Sequence, residues 1–279
     1  MAKIQLLDSK PYTYEILDTY YKECEAEYTN GKDWTKFKRF FKNFAQKVFE
    51  TNINILMGGV CFPLAYSEKK SYASISHSLY SITPFVLNEW HLNYKPKESK
   101  VKTQESSLKN RFVDFWCMSK NKEIEIWIEV KSIWFNIKAE NFAESIIKID
   151  NSKDKCNKTM GMIQQGLEQL DNIRAEIKND KIADDTNFKV VLLNIPISVS
   201  KNVNYDDKKI DSAPKKVEKL LNDFIKRADF PIKNYKKSVL CAVLDLDPKD
   251  TKNKRKKESG LIYENEYTPY FALGAIVLE

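Results

Sequence analysis

The stretch Arg111 to Lys131, RFVDFWCMSKNKEIEIWIEVK, decides how the chain is read. Residues Phe112–Met118 and Ile124–Ile133 are dense in β-branched and aromatic side chains, and the polar Ser119-Lys120-Asn121-Lys122 between them has the composition of a turn. The segment therefore predicts two antiparallel strands joined as a hairpin. Side chains alternate along a strand, so Glu129 and Lys131 share one face. Hairpin pairing brings Asp114 of the first strand beside them. Two carboxylates and an ammonium then converge on strands that are otherwise apolar, where an unpaired charge is costly.

An E-x-K on a strand is often a plain same-face ion pair, and by itself it is a weak signal. The apolar context of Ile126, Trp127 and Ile128 gives it weight. Chemically the trio suits phosphodiester hydrolysis. Mg2+ takes hard oxygen ligands, commonly one or two carboxylates with water and phosphate, and Asp114, Glu129 and the carbonyl of Val130 supply such oxygens. Lys131 would orient the attacking water and stabilise developing charge.

Working outward, a helix around Asn157–Lys178 precedes the apolar strand Phe188–Ile195. Strand, strand, helix, strand predicts a crossover to a parallel partner and hence a mixed sheet. A helix near Pro214–Arg227 and strands near Val239–Leu246 and Phe271–Leu278 extend the pattern. The expected fold class is α/β (α+β), a mixed central sheet flanked by helices. Upstream, Asp33 is placed to cap a helix over Trp34–Glu50, on which Trp34, Phe37, Phe41, Phe44 and Val48 form an apolar stripe. Lys36, Lys38, Arg39, Lys42 and Lys47 occupy its other faces and read as a solvated basic surface. Residues 12–28 are compatible with a helix, Ile53–Tyr66 with a strand and turn, and Tyr72–Leu87 with a helix weakened by Pro84. Residues 95–110 read as an exposed connection. The expected organisation is one domain over 1–279, with an N-terminal helical extension to about residue 52 and a catalytic core over about 53–279.

Val113-Asp114, fourteen intervening residues and Glu129-Val130-Lys131 together resemble the PD-(D/E)xK motif of restriction-type endonucleases. Val113 stands where the motif has its proline, a position that carries no ligand. The resemblance spans roughly residues 89–195 and implies a restriction endonuclease-like core. It implies Asp114, Glu129 and Lys131 as catalytic residues, and Mg2+, replaceable by Mn2+, held by Asp114, Glu129 and Val130. An upstream acidic ligand is also implied; Glu89 is the first choice, with Glu50 and Glu68 as rivals. Gln165, on the following helix, matches a glutamine that assists in the recombination-exonuclease branch, although Gln169 replaces that branch's usual aromatic residue. The implied function is a type II restriction-type endonuclease cutting double-stranded DNA, commonly as a homodimer. The alternatives are a nucleic-acid-binding or assembly protein without turnover, or a nuclease acting within a repair or defence complex.

Charge supports an anionic partner: 46 Lys and Arg stand against 39 Asp and Glu, a formal charge of +7. The run Lys254-Arg255-Lys256-Lys257 lies between predicted strands and is the candidate DNA-binding loop. Five scattered cysteines form no zinc-ligand spacing, and together with the lack of an apolar leader they suggest a reduced, cytoplasmic setting. No segment has the length of a membrane span. Asp245 and Asp247 read as strand-end caps before Pro248. Phosphate-loop, nucleophile-elbow and HExxH signatures are missing from the chain.

Overall fold

The structure is a computed structural model that describes residues 4–5, 13–17, 31–59, 61–65, 67–92, 111–137, 187–200, 206–227, 237–247, 261–263 and 266–278, together with Ile163, Gly166, Leu167, Gln169 and Leu170. The hairpin forms as expected: β4 (Arg111–Met118) and β5 (Glu125–Ser132) pair antiparallel. Its turn is closed by the Lys122 N–H donating to the Ser119 carbonyl at 2.8 Å, with Lys122 at φ 57°. Before the hairpin lie β1 (Ile4–Gln5), β2 (Thr13–Leu17), α1 (Gly31–Met57), α2 (Glu68–Tyr80) and β3 (Val86–Leu92). After it come β6 (Phe135–Asn136), β7 (Asn187–Ser200), α3 (Asp207–Arg227), β8 (Lys237–Asp245), β9 (Leu261–Tyr263) and β10 (Glu266–Leu278).

Among the described residues the strands form one ten-stranded sheet in the order β1-β2-β8-β10-β7-β5-β4-β3, with β6 added on β7 and β9 on β10. β7 runs parallel to β5 and β6, and every other pairing is antiparallel. The sheet is therefore mixed, with β5 parallel to β7 as the element order predicts; most of the helix expected over Asn157–Lys178 lies outside the described residues. Alternation splits the core into two layers. Leu240, Ala242 and Leu244 of β8 face one apolar cluster with α1 and α2; Val239, Cys241 and Val243 face the other, with Leu167, Leu170 and α3. Among the described residues no helix is long and apolar enough to cross a membrane.

Several expectations are corrected. Thr13–Leu17 is a strand, paired antiparallel with β8 from Thr13↔Asp245 to Leu17↔Cys241. The rest of 12–28 lies outside the described residues. The segment from Ile53 does not start a strand: α1 continues to Met57, where Gly59, at φ +76°, adopts the left-handed backbone that ends the helical turn. The boundary near residue 52 falls inside this helix, whose Trp34, Phe37, Phe44, Val48 and Ile53 all lie in the core. α2 begins four residues earlier than expected, with Ser67 as its cap, and ends before Pro84. α3 starts at Asp207, not Pro214; the side chain of Asp206 accepts from the Lys208 N–H at 3.1 Å, and Pro214 lies within the helix. Residues 95–110 lie outside the described residues.

One joint between α1 and the sheet is aromatic. Phe188 is fully buried with its ring centroid 4.6 Å from that of Phe37 and 6.3 Å from that of Trp34. Phe188→Ala should lower unfolding free energy by about 3 to 5 kcal/mol in urea titrations, through lost transfer energy and an unfilled cavity. A loss under about 1 kcal/mol would contradict this packing.

Candidate functional site

The β4–β5 ladder runs inward from Phe115↔Ile128 to Met118↔Glu125; beyond Ile128, β5 keeps only its parallel ladder with β7. Asp114 and Glu129, the next residues outward, stand where the two strands part. The interruption is two-sided. In β3, Asn88 pairs with Phe115 and Trp90 with Val113, while Glu89, between them, adopts φ 50°. A non-glycine residue there is uncommon and is held by its surroundings.

The Val130 N–H, left without a β4 carbonyl, donates to Asp114 Oδ2 at 2.7 Å. The other carboxylate oxygen, Oδ1, accepts from the Tyr72 hydroxyl of α2. Lys131 Nζ lies 2.7 Å from Glu129 Oε1 and 3.8 Å from Glu68 Oε1, and the Tyr72 hydroxyl reaches that same Glu68 oxygen at 3.4 Å. Glu68, Asp114, Glu129 and Lys131 thus form one group, closed over by Tyr72. Asp114, Glu129 and Lys131, placed together by the sequence spacing, are together in the structure.

The sequence explains how α2 reaches this group. The Ser67 hydroxyl accepts from the Lys70 N–H at 3.3 Å and starts the helix, which puts Glu68 in the first turn, where the helix dipole favours an anion. Tyr72 follows four residues later on the same helix face. A buried tie fixes the turn to the sheet: Asn194 Nδ2 of β7 donates to Ser71 Oγ at 3.0 Å, and that hydroxyl donates to the Glu68 carbonyl at 2.6 Å. On the lysine's other side, a Cβ at Gly166 would stand 3.0 Å from Val191 Cγ1 and 3.5 Å from Lys131 Cγ. The glycine lets backbone pack close to the lysine's aliphatic stem, leaving its ammonium for the carboxylates.

Of the rivals for the upstream acid, Glu68 joins the network. Glu89 is exposed, and its charge raises Asp114 less than burial does. Glu50 is engaged on α1 with Gln46 and Lys47 at 2.8 Å each. Reading a helix from Tyr72 left Glu68 outside it; Ser67 directly before an acidic residue is the start signal that would have included both Glu68 and Tyr72. Gln165 and Lys254, Arg255, Lys256 and Lys257 lie outside the described residues. Asp245 acts in a turn, its Oδ1 accepting from the Asp247 N–H at 3.2 Å, while Asp247 accepts from the Tyr267 hydroxyl.

Crowding and burial raise the carboxyl pKa values. Burial pushes Asp114 above the ordinary range, against the opposing hydrogen bonds from Tyr72 and Val130 and the charge of Lys131. Burial and then the charge of Asp114 raise Glu129 to about 7, with Lys131 opposing. Glu68 moves the same way, through burial, and Lys131 again opposes. Tyr72 is raised by burial and by its bond to Asp114, so it stays a neutral donor. Glu129 is 2% exposed, and its Oε2 is buried without a hydrogen-bond partner.

This is a donor set of hard oxygens with surplus negative charge, which fits a small divalent cation. Among the described residues no three His, Cys, Asp or Glu side chains are already arranged as metal ligands. Both Asp114 oxygens and one Glu129 oxygen accept hydrogen bonds within the protein. No protein-family model, curated protein or solved structure matches the chain.

The raised carboxyls set a pH dependence. Glu129 binds its proton up to about pH 7 in the folded chain against a usual value of 4.5, so the folded state holds more protons between those limits. The resulting stability is full below the lower value and lost as pH rises through the upper one; Asp114 and Glu68 act with the same sign. In EDTA the protein should resist urea better at about pH 5.5 than at about pH 8, by on the order of 2 kcal/mol, and Glu129→Gln should flatten the slope. An unchanged slope in the variant would remove Glu129 as its source.

Proposed function

We propose that the protein is a Mg2+-dependent phosphodiesterase that cuts nucleic acid, with double-stranded DNA as the substrate and a restriction-type endonuclease as the closest functional description. The observation that carries the reading is the convergence of Asp114, Glu129 and Lys131 at the parting of β4 and β5, joined by Glu68. The resemblance of Val113-Asp114 and Glu129-Val130-Lys131 to the PD-(D/E)xK motif supplies the substrate class, as well as the homodimer and cytoplasmic setting common to such enzymes.

Asp114 and Glu129, with the carbonyl of Val130, would hold the cation, and Glu68 takes the upstream position first given to Glu89. Mn2+ would substitute, having the same preference for oxygen. When bound, the cation supplies Lewis-acid stabilisation of phosphoryl charge and lowers the pKa of water. Lys131, confined by Glu129 and Glu68, directs its ammonium at the attacking water and the charge that develops on the phosphate. Tyr72 and the Val130 N–H hold the orientation of Asp114. Asp114 Oδ1 can accept from Tyr72 and still offer its second lone pair to a cation.

The closed hydrogen-bond network also favours a second reading, a nucleic-acid-binding or assembly protein that keeps this arrangement without turnover. A nuclease within a repair or defence complex differs from the first reading in setting, not in chemistry. Incubation with plasmid, linear duplex, single-stranded DNA and RNA, in Mg2+, Mn2+ or EDTA, separates them. The phosphodiesterase reading expects cation-dependent cutting that falls at least about 100-fold in Asp114→Ala and Lys131→Ala. Glu68→Gln should reduce it, and Glu89→Gln should leave it near wild type. Cutting that persists in a folded Asp114→Ala or Lys131→Ala variant would contradict the assigned roles, and no cutting of any substrate by wild type would favour the binding reading.

A further inference from the structure

At the opposite end of the β4–β5 hairpin, its turn and the exposed side of α1 enclose a cleft of about 630 Å³. That size lies within the range of about 300 to 1,000 Å³ usual for small-ligand sites. Ser119, the first turn residue, is five residues along β4 from Asp114, roughly 17 Å at about 3.3 Å per residue, so the cleft is separate from the carboxylate group.

Its lining combines three chemistries. Lys36, Arg39 and Lys120 supply positive charge, Asn43 and Asn121 supply amides, and Phe40 with Ile82 and Ile124 supplies apolar surface. One acid, Glu123, lines the wall, and it is engaged: Lys36 lies 3.5 Å from it, and Asn121 donates to it. Arg39 and Lys120 are exposed and have no ion pair within the described residues. Phe40 is half-buried, braced by Phe44 at 6.5 Å between ring centroids with an interplanar angle of 18°. A purely solvated basic helix face needs no concavity, no aromatic wall and no amides opposite its cations.

We infer that this cleft binds a nucleoside phosphate, either free or as one unit of a nucleic-acid strand. Phosphate meets Arg39 and Lys120 through charge-assisted hydrogen bonds, while Lys36 is held in ion pairs with Asp33 at 3.1 Å and Glu123 at 3.5 Å. The base lies against Phe40, with its polar edge on the amide of Asn43; Asn121 already accepts from the Ser119 hydroxyl and donates to Glu123. Because α1 and the hairpin turn share the ligand, binding ties together two elements that are distant in sequence.

Binding in EDTA tests this without any hydrolysis. Titration calorimetry with AMP, with a 12-nucleotide single strand and with inorganic phosphate should show saturable binding of AMP, of the strand, or of both, and weaker binding of phosphate alone. Saturation by AMP assigns a free nucleotide; saturation by the strand alone assigns a unit of a polymer. Arg39→Ala with Lys120→Ala should weaken that binding at least about tenfold. Both residues are exposed, so the doubly substituted protein should keep its wild-type melting temperature. Phe40→Leu should weaken the nucleoside ligand while leaving inorganic phosphate unchanged. Asp114→Asn should bind as wild type does, so the cleft and the phosphodiesterase reading can fail separately. No saturable binding of AMP or strand, affinity unchanged in Arg39→Glu/Lys120→Glu, or phosphate bound as tightly as AMP and the strand would overturn the inference.

Discussion

A single unpaired backbone donor organises the candidate site. Where β5 loses β4 as a neighbour, the Val130 N–H still points toward the vanished strand, and leaving it orphaned in a buried position would cost about 1 to 3 kcal/mol. Asp114 supplies the missing acceptor. One carboxylate thereby ends the antiparallel ladder and brings its own charge beside Glu129. The positive φ of Glu89 accommodates the same irregularity on the β3 side.

The charges gathered there are unbalanced. Glu68, Asp114 and Glu129 surround one ammonium, Lys131, and burial raises all three carboxyls. A protein selected only for stability replaces such a group with apolar residues at little loss. The unsatisfied Glu129 oxygen and the surplus of carboxylates are what support the proposal of a cation site. The cleft at the turn has the opposite sign and an aromatic wall. The same hairpin thus connects an anionic end to a cationic one.

How much was legible in the sequence depended on how local the signal was. Alternation over Arg111–Lys131 is a short-range property, and it located both strands, their faces and three residues of the group. The crossover to β7 followed from element order. The start of α2 was harder to place: the apolar residues from Tyr72 mark a helix, but the cap lies at Ser67, and the four missing residues hid the same-face pairing of Glu68 with Tyr72. Glu89 was favoured for its nearness in the chain, whereas φ at that residue is decided by strand register across β3 and β4. Ile53–Leu56 contains aliphatic residues at spacings that satisfy either period, so only the continuing core contact of α1 settles it as helix. Thr13–Leu17 is too short for periodicity to decide, and its pairing with β8 spans most of the chain. The cleft unites α1 with a turn some eighty residues later, a proximity that no local pattern encodes.

The central claim is that Asp114 and Glu129 together form a cation site at the parting of the two strands. Anomalous diffraction from crystals soaked in Mn2+ measures this directly. The account predicts a peak contacting both carboxylates in the wild-type protein and its loss in Asp114→Asn. An empty site at saturating Mn2+, or a peak that ignores Asp114 and Glu129, would contradict it.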